Sequence, residues 1–406
     1  MGRLVPRRET NAQPDIIVTG NSYTIVSTGQ TITKNQYNQP LNGDALAQAI
    51  RFHGFPGVVL HVSGNQHKGM LLNGTNPNQT HTVTWQGQDV DDVTIIGIEP
   101  NRAMKIGGVT VFNKMGDFKI QNATLMNSGG AFAPLLVNMN GIAGFIRLYD
   151  INFLPKDPTA WQGKGMKWNI RGHGVARWDC RNLNFHEAVE HGAYIDNHQG
   201  KSWFINCRGS GMGRTMLQLT NRKQSGPSAF GDLIIKNCVA MNNYGQGGSD
   251  YTIVGNGPGT VWFINNKSFG AASGSHGAFV HWTDFGHGAY LTEGGHSTGR
   301  LIILNFEVDH PNADRDHVAI TGCDEAIMAN WDISGNKTAL RLQGQFGGGN
   351  NMDLDKFGLY SWNQYTPSQN PGWKSWKKVK DDSTGQWLSD PEIDDLEYIR
   401  GGGRRR

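Results

Sequence analysis

The sequence predicts an all-β fold of stacked coils, a parallel β-helix, and two repeating patterns carry this prediction. The first is an Asn that ends a short β-prone segment about every 30 residues, a typical repeat length for a β solenoid. β-Branched and aromatic residues flank these Asn residues, and no helical stretch separates them. The Asn residues of this pattern are Asn122, Asn152, Asn182, Asn206, Asn237, Asn265, Asn305 and Asn330.

An Asn at a tight turn can hydrogen-bond the backbone of its own coil and the Asn of the next coil. We therefore expect these side chains to form a ladder that points inward and is mostly buried. Asn is also a common turn residue, but the repetition of the flanking residues favours the ladder.

The second pattern is another strand in each coil, at residues 167–172, 193–197, 217–221, 252–256, 280–284, 318–322 and 340–344. Side chains alternate along a strand, so each segment has inward and outward positions. The predicted inward residues are Ile170, Ile195, Leu219, Val254, Trp282, Ile320 and Leu342. The predicted outward residues are Asn169, Tyr194, Gln218, Ile253, His281, Ala319 and Arg341, with a flanking row of Arg171, Asp196, Thr220, Gly255, Thr283, Thr321 and Gln343. This arrangement gives a long, flat and mostly polar face.

A short amphipathic helix is predicted at residues 43–50. Asp44 can cap it, Leu46 and Ile50 share one face, and Gly54 ends it. An apolar strand follows at residues 57–62.

This helix and strand resemble the start of the pectate-lyase-like β-helices, in which a short helix covers the first coil. The resemblance spans about residues 40–345 and implies a right-handed, single-stranded parallel β-helix. Because that fold hosts lyases, hydrolases, adhesins and viral spikes, it does not by itself define an activity.

Three regions are predicted: an N-terminal arm at 1–40, the β-helix at 41–346 and an irregular tail at 347–406. The tail is basic and aromatic first, then acidic and apolar, and is too apolar for a disordered segment. We expect it to cover the last coil or to dock on a neighbouring subunit, since an uncovered coil exposes strand edges. Its large apolar residues are Trp373, Trp376, Trp387, Leu396, Tyr398 and Ile399.

Composition agrees with one elongated domain, because 55 of the 406 residues are Gly and only 17% are charged. A net charge of +3 is small for this length and argues against a nucleic-acid-binding protein. No segment is long and apolar enough for a membrane span, and no secretory signal is visible at the N-terminus.

Four cysteines lie at positions 180, 207, 238 and 323. Cys207 and Cys238 each follow a ladder Asn, so we expect them to be reduced, buried and stacked in adjacent coils. The absence of a Cys-x-x-Cys pair argues against a zinc knuckle, and we expect no metal or cofactor.

The densest group of ionisable residues is the segment from His186 to His191, which also contains Glu187 and Glu190. It could be a general acid/base site or a metal site. A solvated loop between two strands is the favoured interpretation, since no His-Glu-x-x-His motif is present.

A polysaccharide lyase needs a base and a cation that stabilises the enolate. The predicted outward face offers both kinds of group. A glycoside hydrolase needs two carboxyls that lie close together. The predicted register places Asp196 and Asp284 three coils apart, about 14 Å at a strand spacing of about 4.8 Å, which argues against this pair. Glu187 and Asp196 remain an open alternative for the two hydrolase carboxyls. The catalytic candidates are Tyr194, Asp196, Arg214, His281 and Asp284.

The residues expected to bind a ligand are Tyr194, Asp196, Gln218, Arg222 and His281. Two functions compete. The favoured one is a structural or adhesive component of a surface assembly, such as a bacteriophage spike, fibre or capsid decoration, that binds glycan or partner protein and forms a homo-oligomer through its termini. It would be located on a virion or another extracellular surface. The alternative is a polysaccharide lyase or glycoside hydrolase, for which the sequence has no catalytic signature.

Overall fold

A computed structural model of the chain describes residues 12–55, 57–64, 67–73, 93–112, 117–126, 133–139, 144–154, 167–174, 177–196, 200–221, 230–243, 249–255, 260–270, 278–282, 300–310, 318–321, 325–329, 331–335, 340–343, 357–360, 379–380 and 387–388. The described residues are mostly β-strand and contain one α-helix. No helix in these residues is both long and apolar enough to cross a membrane.

Most strands belong to three parallel ladders, and from β6 (Val93–Gly97) onward the chain visits the ladders in a constant order: first, second, third, then first again. The first ladder contains β1 (Ile16–Val18), β4 (Val59–Val62), β6 (Val93–Gly97), β9 (Phe118–Met126), β11 (Phe145–Leu154), β13 (Arg177–Arg181), β16 (Gly200–Ile205), β19 (Phe230–Lys236), β22 (Thr260–Ile264), β25 (Arg300–Leu304), β28 (Glu325–Ala329) and β31 (Phe357–Tyr360). The second contains β7 (Met104–Ile106), β14 (Asn184–Ala188), β17 (Arg208–Met212), β20 (Val239–Met241), β23 (Lys267–Phe269), β26 (Glu307–His310) and β29 (Asp332–Gly335). The third contains β5 (Met70–Asn73), β8 (Val109–Phe112), β10 (Leu135–Met139), β12 (Trp168–Gly174), β15 (His191–Asp196), β18 (Thr215–Asn221), β21 (Tyr251–Gly255), β24 (Phe279–Trp282), β27 (Val318–Thr321) and β30 (Leu340–Gln343).

The long strands β9 and β11 run through both the first and the second ladder, which therefore form one 21-stranded sheet. The third ladder is a separate sheet of 10 strands. The predicted all-β architecture with stacked parallel strands agrees with this topology.

The N-terminal residues are joined to the first ladder. Strand β1 pairs with β4 in parallel and with β2 (Tyr23–Ile25) in antiparallel orientation, and β2 pairs with β3 (Gln30–Ile32). Much of the segment predicted as an N-terminal arm is thus part of a sheet. In the predicted tail, β31 (Phe357–Tyr360) pairs with β28 and extends the first ladder beyond the predicted boundary at residue 346. The other described tail residues are β32 (Val379–Lys380) and β33 (Trp387–Leu388), an antiparallel pair, and the rest of the tail lies outside the described residues.

The predicted helix is confirmed as α1 (Ala45–His53), whose apolar face is buried. Asp44 occupies the N-cap position but makes no side-chain capping hydrogen bond. Its carboxylate instead accepts a hydrogen bond from Lys68 at 3.0 Å. A 3-10 turn (Pro100–Arg102) precedes β7.

An Asn ladder lies at the turn between the first and second ladders. The amide of Asn206 donates to Oδ1 of Asn182 at 3.1 Å, and the amide of Asn237 donates to Oδ1 of Asn206 at 3.1 Å. Further along, the amide of Asn305 donates to Oδ1 of Asn265 at 2.6 Å. All five have φ between 53° and 56°, a left-handed conformation that Asn tolerates better than most residues.

One ladder position differs from the prediction. Asp150, with φ of 56°, takes the place assigned to Asn152 and accepts a hydrogen bond from the Asn182 amide at 2.8 Å. The pairing of Ile151 with Ala123 fixes this register, because it aligns the residues that precede them.

The ladder side chains are not buried as predicted: Asn206 and Asn237 are exposed, and Asn330 lies outside the described residues. The left-handed turn directs the next side chain, rather than the Asn, toward the core. These fully buried followers are Ala123, Ile151, Leu183, Cys207, Cys238, Asn266 and Phe306.

The prediction of buried free thiols is confirmed for Cys180, Cys207 and Cys238. Burial is the main cause that raises the pKa of Cys180 and Cys207 well above the usual value. Cys323 lies outside the described residues.

The buried apolar side chains of the three ladders form one core. Aromatic rings stack from one repeat to the next, as Phe153 and Phe185 do at a centroid distance of 5.3 Å. The large Trp178 fits because Gly172 faces it; a Cβ on Gly172 would lie 2.6 Å from its ring.

In the third ladder the predicted inward column is one residue out of register at β21 and β24, and it agrees again with the backbone pairing at Ile320 and Leu342. Ile195 pairs with Leu219, and Leu219 pairs with Ile253, which is 2% exposed. Val254, predicted inward, pairs instead with Thr220 of the outward column. Backbone pairing continues the inward column from Ile253 through His281, Ile320 and Leu342, whereas Trp282 pairs with Val254.

The first strand of that column also differs. Ile170 pairs with Ala193 rather than with Ile195. Asn169, predicted outward, is fully buried, where its amide donates to the His186 carbonyl at 3.2 Å and its Oδ1 accepts from the His186 N–H at 3.3 Å. The buried amide thus links β12 to β14.

Candidate functional site

A cluster of aromatic and charged side chains occupies the outer face of the third ladder on β12 and β15. It is defined by Trp168, Arg171, His173, Tyr194 and Asp196, and we call it the Arg171 cluster. The register places Arg171 directly beside Tyr194, because Ile170 pairs with Ala193. Arg171, Tyr194 and Asp196 alternate with the inward residues of their strands, whereas Trp168 joins the cluster through its ring contacts with Arg171 and Tyr194.

Arg171 is the centre of the cluster. Its Nη2 donates to Oδ2 of Asp196 at 2.7 Å, in a pair whose side chains are only 18% and 7% exposed. Nδ1 of His173 lies 3.7 Å from the same carboxylate oxygen. A charged pair with so little exposure is screened less than a surface pair, and removing one partner would leave the other poorly solvated.

Two rings flank the guanidinium. It lies 4.0 Å from the centroid of Tyr194 and 5.5 Å from that of Trp168, and the two rings are 6.3 Å apart at 51°. A planar, weakly hydrated guanidinium suits such stacking better than an ammonium. The contacts restrict both rings to one arrangement.

Charges of both signs surround the cluster. Lys167 pairs with Glu190 at 3.2 Å and also lies 4.8 Å above the Trp168 ring. Arg214, at the start of β18, is exposed, and its N–H donates to the Glu190 carbonyl at 2.7 Å. The neighbourhood is therefore polar and contains more cations than carboxylates.

His191 lies under this surface and is 3% exposed, with its ring 5.2 Å from that of Tyr194. Burial is the largest cause that lowers the pKa of His191 to about 3, and the nearby positive charge of Arg214 adds to it. The imidazole is therefore neutral near pH 7 and a weak base.

Some of the predicted site residues come together here. Tyr194 and Asp196 lie on the same strand, and Gln218 is the direct register partner of Tyr194. Arg214 lies close enough for its charge to affect His191. These residues form one continuous patch across β12, β15 and β18.

Other predicted site residues do not join this patch. The backbone of His281 pairs with Ile253, in the column that faces the core, and not with the residues in line with Tyr194. The prediction erred because the register shifts by one residue at β21. Arg222 and Asp284 lie outside the described residues.

The segment from His186 to His191 is split by the fold. His186 is exposed on β14, and burial lowers its pKa, as does the charge of Arg102. Glu187 has φ of 25°, and desolvation raises its pKa. No group of three or more potential metal ligands occurs within the described ranges, so the segment does not form a compact metal site there.

A second polar cluster lies in the core and was missed by sequence reasoning. Asp250 accepts short hydrogen bonds from Asn243 and Ser268, and Nε2 of His310 lies 3.3 Å from its Oδ2 and 2.8 Å from the Ser268 hydroxyl. All four residues are at most 2% exposed.

This Ser–His–Asp group differs from a hydrolase triad. One imidazole nitrogen faces both Ser268 and Asp250, whereas a catalytic His uses its two nitrogens for the two partners. The group is also enclosed, so a substrate cannot reach it. It acts as a buried network that joins successive repeats.

Sequence reasoning also missed Trp168 and His173 as members of the surface patch. Trp168 stands two residues before the inward Ile170, so alternation would place it on the inward face, and its contact with Arg171 could not be predicted. His173 and Arg171 join Asp196 only through the strand register, which the sequence did not fix.

Comparisons of the chain with protein-family models, curated proteins and solved structures returned no significant match. The resemblance to pectate-lyase-like proteins therefore stays a prediction.

Proposed function

We propose that this protein is an adhesive β solenoid that binds glycan through the patch centred on the Arg171 cluster. The observation that carries the proposal is the packing of the Arg171 guanidinium against both Trp168 and Tyr194 while it is paired with Asp196. Half-buried rings beside fixed hydrogen-bonding groups match a sugar, which has apolar faces and polar edges.

Preorganisation favours binding at this patch. Because the ion pair and the ring contacts already hold the side chains, a ligand would lose less entropy on binding than at a flexible surface. Gln218 and the exposed Arg214 extend the patch along the neighbouring strand, so a chain of several sugars would find polar groups over more than one strand.

The same geometry gives less support to the lyase or hydrolase alternative. Asp196 already accepts a hydrogen bond from Arg171, so this carboxylate is held by the cluster and not directed at a substrate. With a pKa of about 3, His191 is poorly matched to proton abstraction near pH 7.

The proposal includes the closed form of the fold. We infer that the three ladders wrap one core as a right-handed, single-stranded parallel β-helix, supported by the constant ladder order and the Asn ladder at one turn. Small-angle X-ray scattering should then give the profile of a rod, and a profile typical of a compact sphere would contradict it.

The setting is proposed on fold analogy. Solenoids of this kind serve as rigid, elongated spacers, which suits a homo-oligomeric spike, fibre or decoration of a bacteriophage particle or another extracellular assembly. Mass measurement in solution tests this part, since a strict monomer would argue against an oligomeric spike.

Glycan binding is tested on an array of neutral and acidic oligosaccharides with the wild type, Tyr194→Ala and a control, Tyr37→Ala. Tyr37 is 73% exposed and far along the chain from the patch, so its loss should leave binding unchanged. We expect Tyr194→Ala to weaken binding about tenfold, as for an aromatic contact at a binding hot spot.

The same samples are assayed for new unsaturated sugar ends and new reducing ends. Release of either by the wild type, lost in Tyr194→Ala, would replace the adhesive proposal with the enzymatic one. Equal binding by the wild type and Tyr194→Ala would show that the patch is only scaffold.

A further inference from the structure

A different surface, on the outer face of the first ladder, combines aromatic rings with cations. It lies on β11, β13 and β16 and is defined by Phe145, Arg147, Arg177, Lys201 and Trp203; we call it the basic–aromatic strip. Phe145 pairs with Arg177, and Asp179 pairs with Trp203, so the same register places Lys201 next to Arg177.

The rings and cations of the strip are in direct contact. The guanidinium of Arg177 lies 4.1 Å from the Phe145 centroid and that of Arg147 lies 4.7 Å from it. Phe145 and Trp203 are stacked at 5.9 Å and 28°, and the Lys201 ammonium lies 5.9 Å from the Trp203 ring.

The positive charges of the strip are only partly compensated. Arg147 forms a short ion pair with Asp117, and Arg181 on the same face is paired with Asp179 at 2.6 Å. Within the described part of the chain, neither Arg177 nor Lys201 has an ion-pair partner at hydrogen-bonding distance, and Arg177 is exposed. Two neighbouring cations therefore remain available to an anion.

We propose that the basic–aromatic strip binds a sulfated polysaccharide, with sulfate groups at Arg177 and Lys201 and sugar rings against Phe145 and Trp203. The proposal does not rest on the function proposed for the Arg171 cluster, because the two surfaces lie on different ladders. Its basis is the complementarity between two neighbouring cations, Arg177 and Lys201, and an anionic sugar whose rings can pack against the flat aromatic rings beside them.

Sulfate fits the strip better than carboxylate for a reason of hydration. A guanidinium packed on Phe145 is weakly hydrated, and a sulfate ester loses less hydration free energy than a carboxylate when it enters such a partly apolar site. Three sulfate oxygens can also accept hydrogen bonds from two cations at once.

The probes are dextran sulfate, carboxymethyl dextran and unmodified dextran, which share one sugar backbone, and a single-stranded oligonucleotide as a different polyanion. Affinity is measured by calorimetry for the wild type, for Arg177→Gln/Lys201→Gln and for Arg208→Gln. Arg208 is an exposed cation on the second ladder, and its substitution removes one positive charge away from the strip, half of the charge that the double variant removes.

We expect dextran sulfate to bind most tightly and the double variant to bind it about tenfold more weakly. Arg208→Gln should stay within about twofold of the wild type. Melting temperatures establish that the variants are folded, and the wild type alone gives an independent readout, since its affinity for dextran sulfate should fall as NaCl rises.

Several outcomes would overturn the proposal. These are equal affinity for sulfated and unmodified dextran, binding that does not depend on salt, or equal loss in the double variant and Arg208→Gln. Tighter binding of carboxymethyl dextran would reject sulfate as the ligand group, and tighter binding of the oligonucleotide would reject a glycan.

Discussion

The two halves of the first ladder use their outer faces differently. One column of register partners runs along that face through Arg147, Asp179, Trp203, Ile234, Trp262 and Ile302. In the N-terminal half its members are charged or aromatic and face ion pairs and cations. From Ile234 onward they are apolar and at most 3% exposed.

The difference is also visible along single strands. In β13, the apolar Trp178 and Cys180 alternate with Arg177, Asp179 and Arg181, as expected when one face contacts the core, although Asp179 is also buried. In β22, both Trp262 and its neighbour Phe263 are buried, and in β25 Ile302 and Ile303 are as well. The C-terminal half of this ladder is therefore buried on both faces, like a central strand between two layers.

One register thus supports two environments. The Asn ladder continues across the boundary at β19. The pairing of β16 with β19 has one irregularity, between Gly200 and Ser202, but the column itself lies beyond it and continues from Trp203 to Ile234 and Trp262, so backbone pairing at these positions does not cause the difference. The difference comes from the side chains, because only the N-terminal half presents charged groups on this column. The C-terminal half contributes mainly to stability.

The largest effect is expected when the same Trp→Ala substitution is made in both halves. Trp262→Ala should lower the free energy of unfolding by about 3–5 kcal/mol, since it leaves a cavity in a buried layer. Trp203→Ala, in the same column but only partly buried, should cost about 1–2 kcal/mol. Urea unfolding followed by fluorescence measures both, and equal losses would remove the distinction between the halves.

A second test concerns acid sensitivity. The folded-state pKa of His191, about 3, is below its ordinary value of 6.5. The unfolded chain therefore binds a proton that the folded chain does not, and stability falls as the pH drops from 6.5 toward 3. The protonation of this group changes the free energy of unfolding by at most about 1.4 kcal/mol per pH unit, and it causes no loss of stability above pH 6.5.

His191→Phe should reduce this slope while keeping a ring in the buried site. His186→Gln, at an exposed position on β14, is the control and should change the slope less. Denaturant titrations at several pH values compare the three proteins. An unchanged slope in His191→Phe would show that other groups cause the acid sensitivity.

A third test asks whether the Asn ladder contributes equally in both halves. Asn206→Ala removes two ladder hydrogen bonds, those with Asn182 and Asn237, and Asn305→Ala removes the one with Asn265. Both substitutions place an alanine at positive φ, where its backbone is strained. Each should cost about 1–2 kcal/mol. Asn206→Gly relieves the backbone strain and should cost less, so comparing it with Asn206→Ala in thermal unfolding separates the strain from the lost hydrogen bonds. Costs that differ strongly between the two halves would show that the ladder is not uniform.

The smallest expected effect is on the thiols. Titration of unfolded, unreduced protein should find close to four free thiols, in line with the three buried free cysteines of the described core. In the native state Cys207 and Cys238 should react slowly, because burial keeps both from solvent and raises the pKa of the Cys207 thiol. Two or fewer thiols in the unfolded protein would instead indicate a disulfide.

Much of the first and second ladders could be predicted from sequence. Asn182, Asn206 and Asn237 each follow apolar strand residues and precede a buried one, and this short-range pattern survives any change in loop length. The pattern failed at Asp150, because both Asp150 and Asn152 suit a turn and only the pairing of Ile151 with Ala123 distinguishes them.

The third ladder was harder to predict because its register is set from a distance. Residues 251–254 read Tyr-Thr-Ile-Val, and each of them suits a buried position, so local alternation cannot tell which face is inward. The pairing of Leu217 with Tyr251 decides it. The same one-residue shift separates His281 from Tyr194 and Gln218.

The sequence by itself determined the stacked parallel strands, the capping helix and the position of the Asn turn, because each depends on neighbours within a few residues. Tertiary structure alone decided which side chains meet across strands. Arg171 reaches Asp196, and Asp250 reaches His310, only after separate repeats have been brought into register. The reason is geometric: side chains alternate with a period of two, so a shift of one residue moves a group to the opposite face.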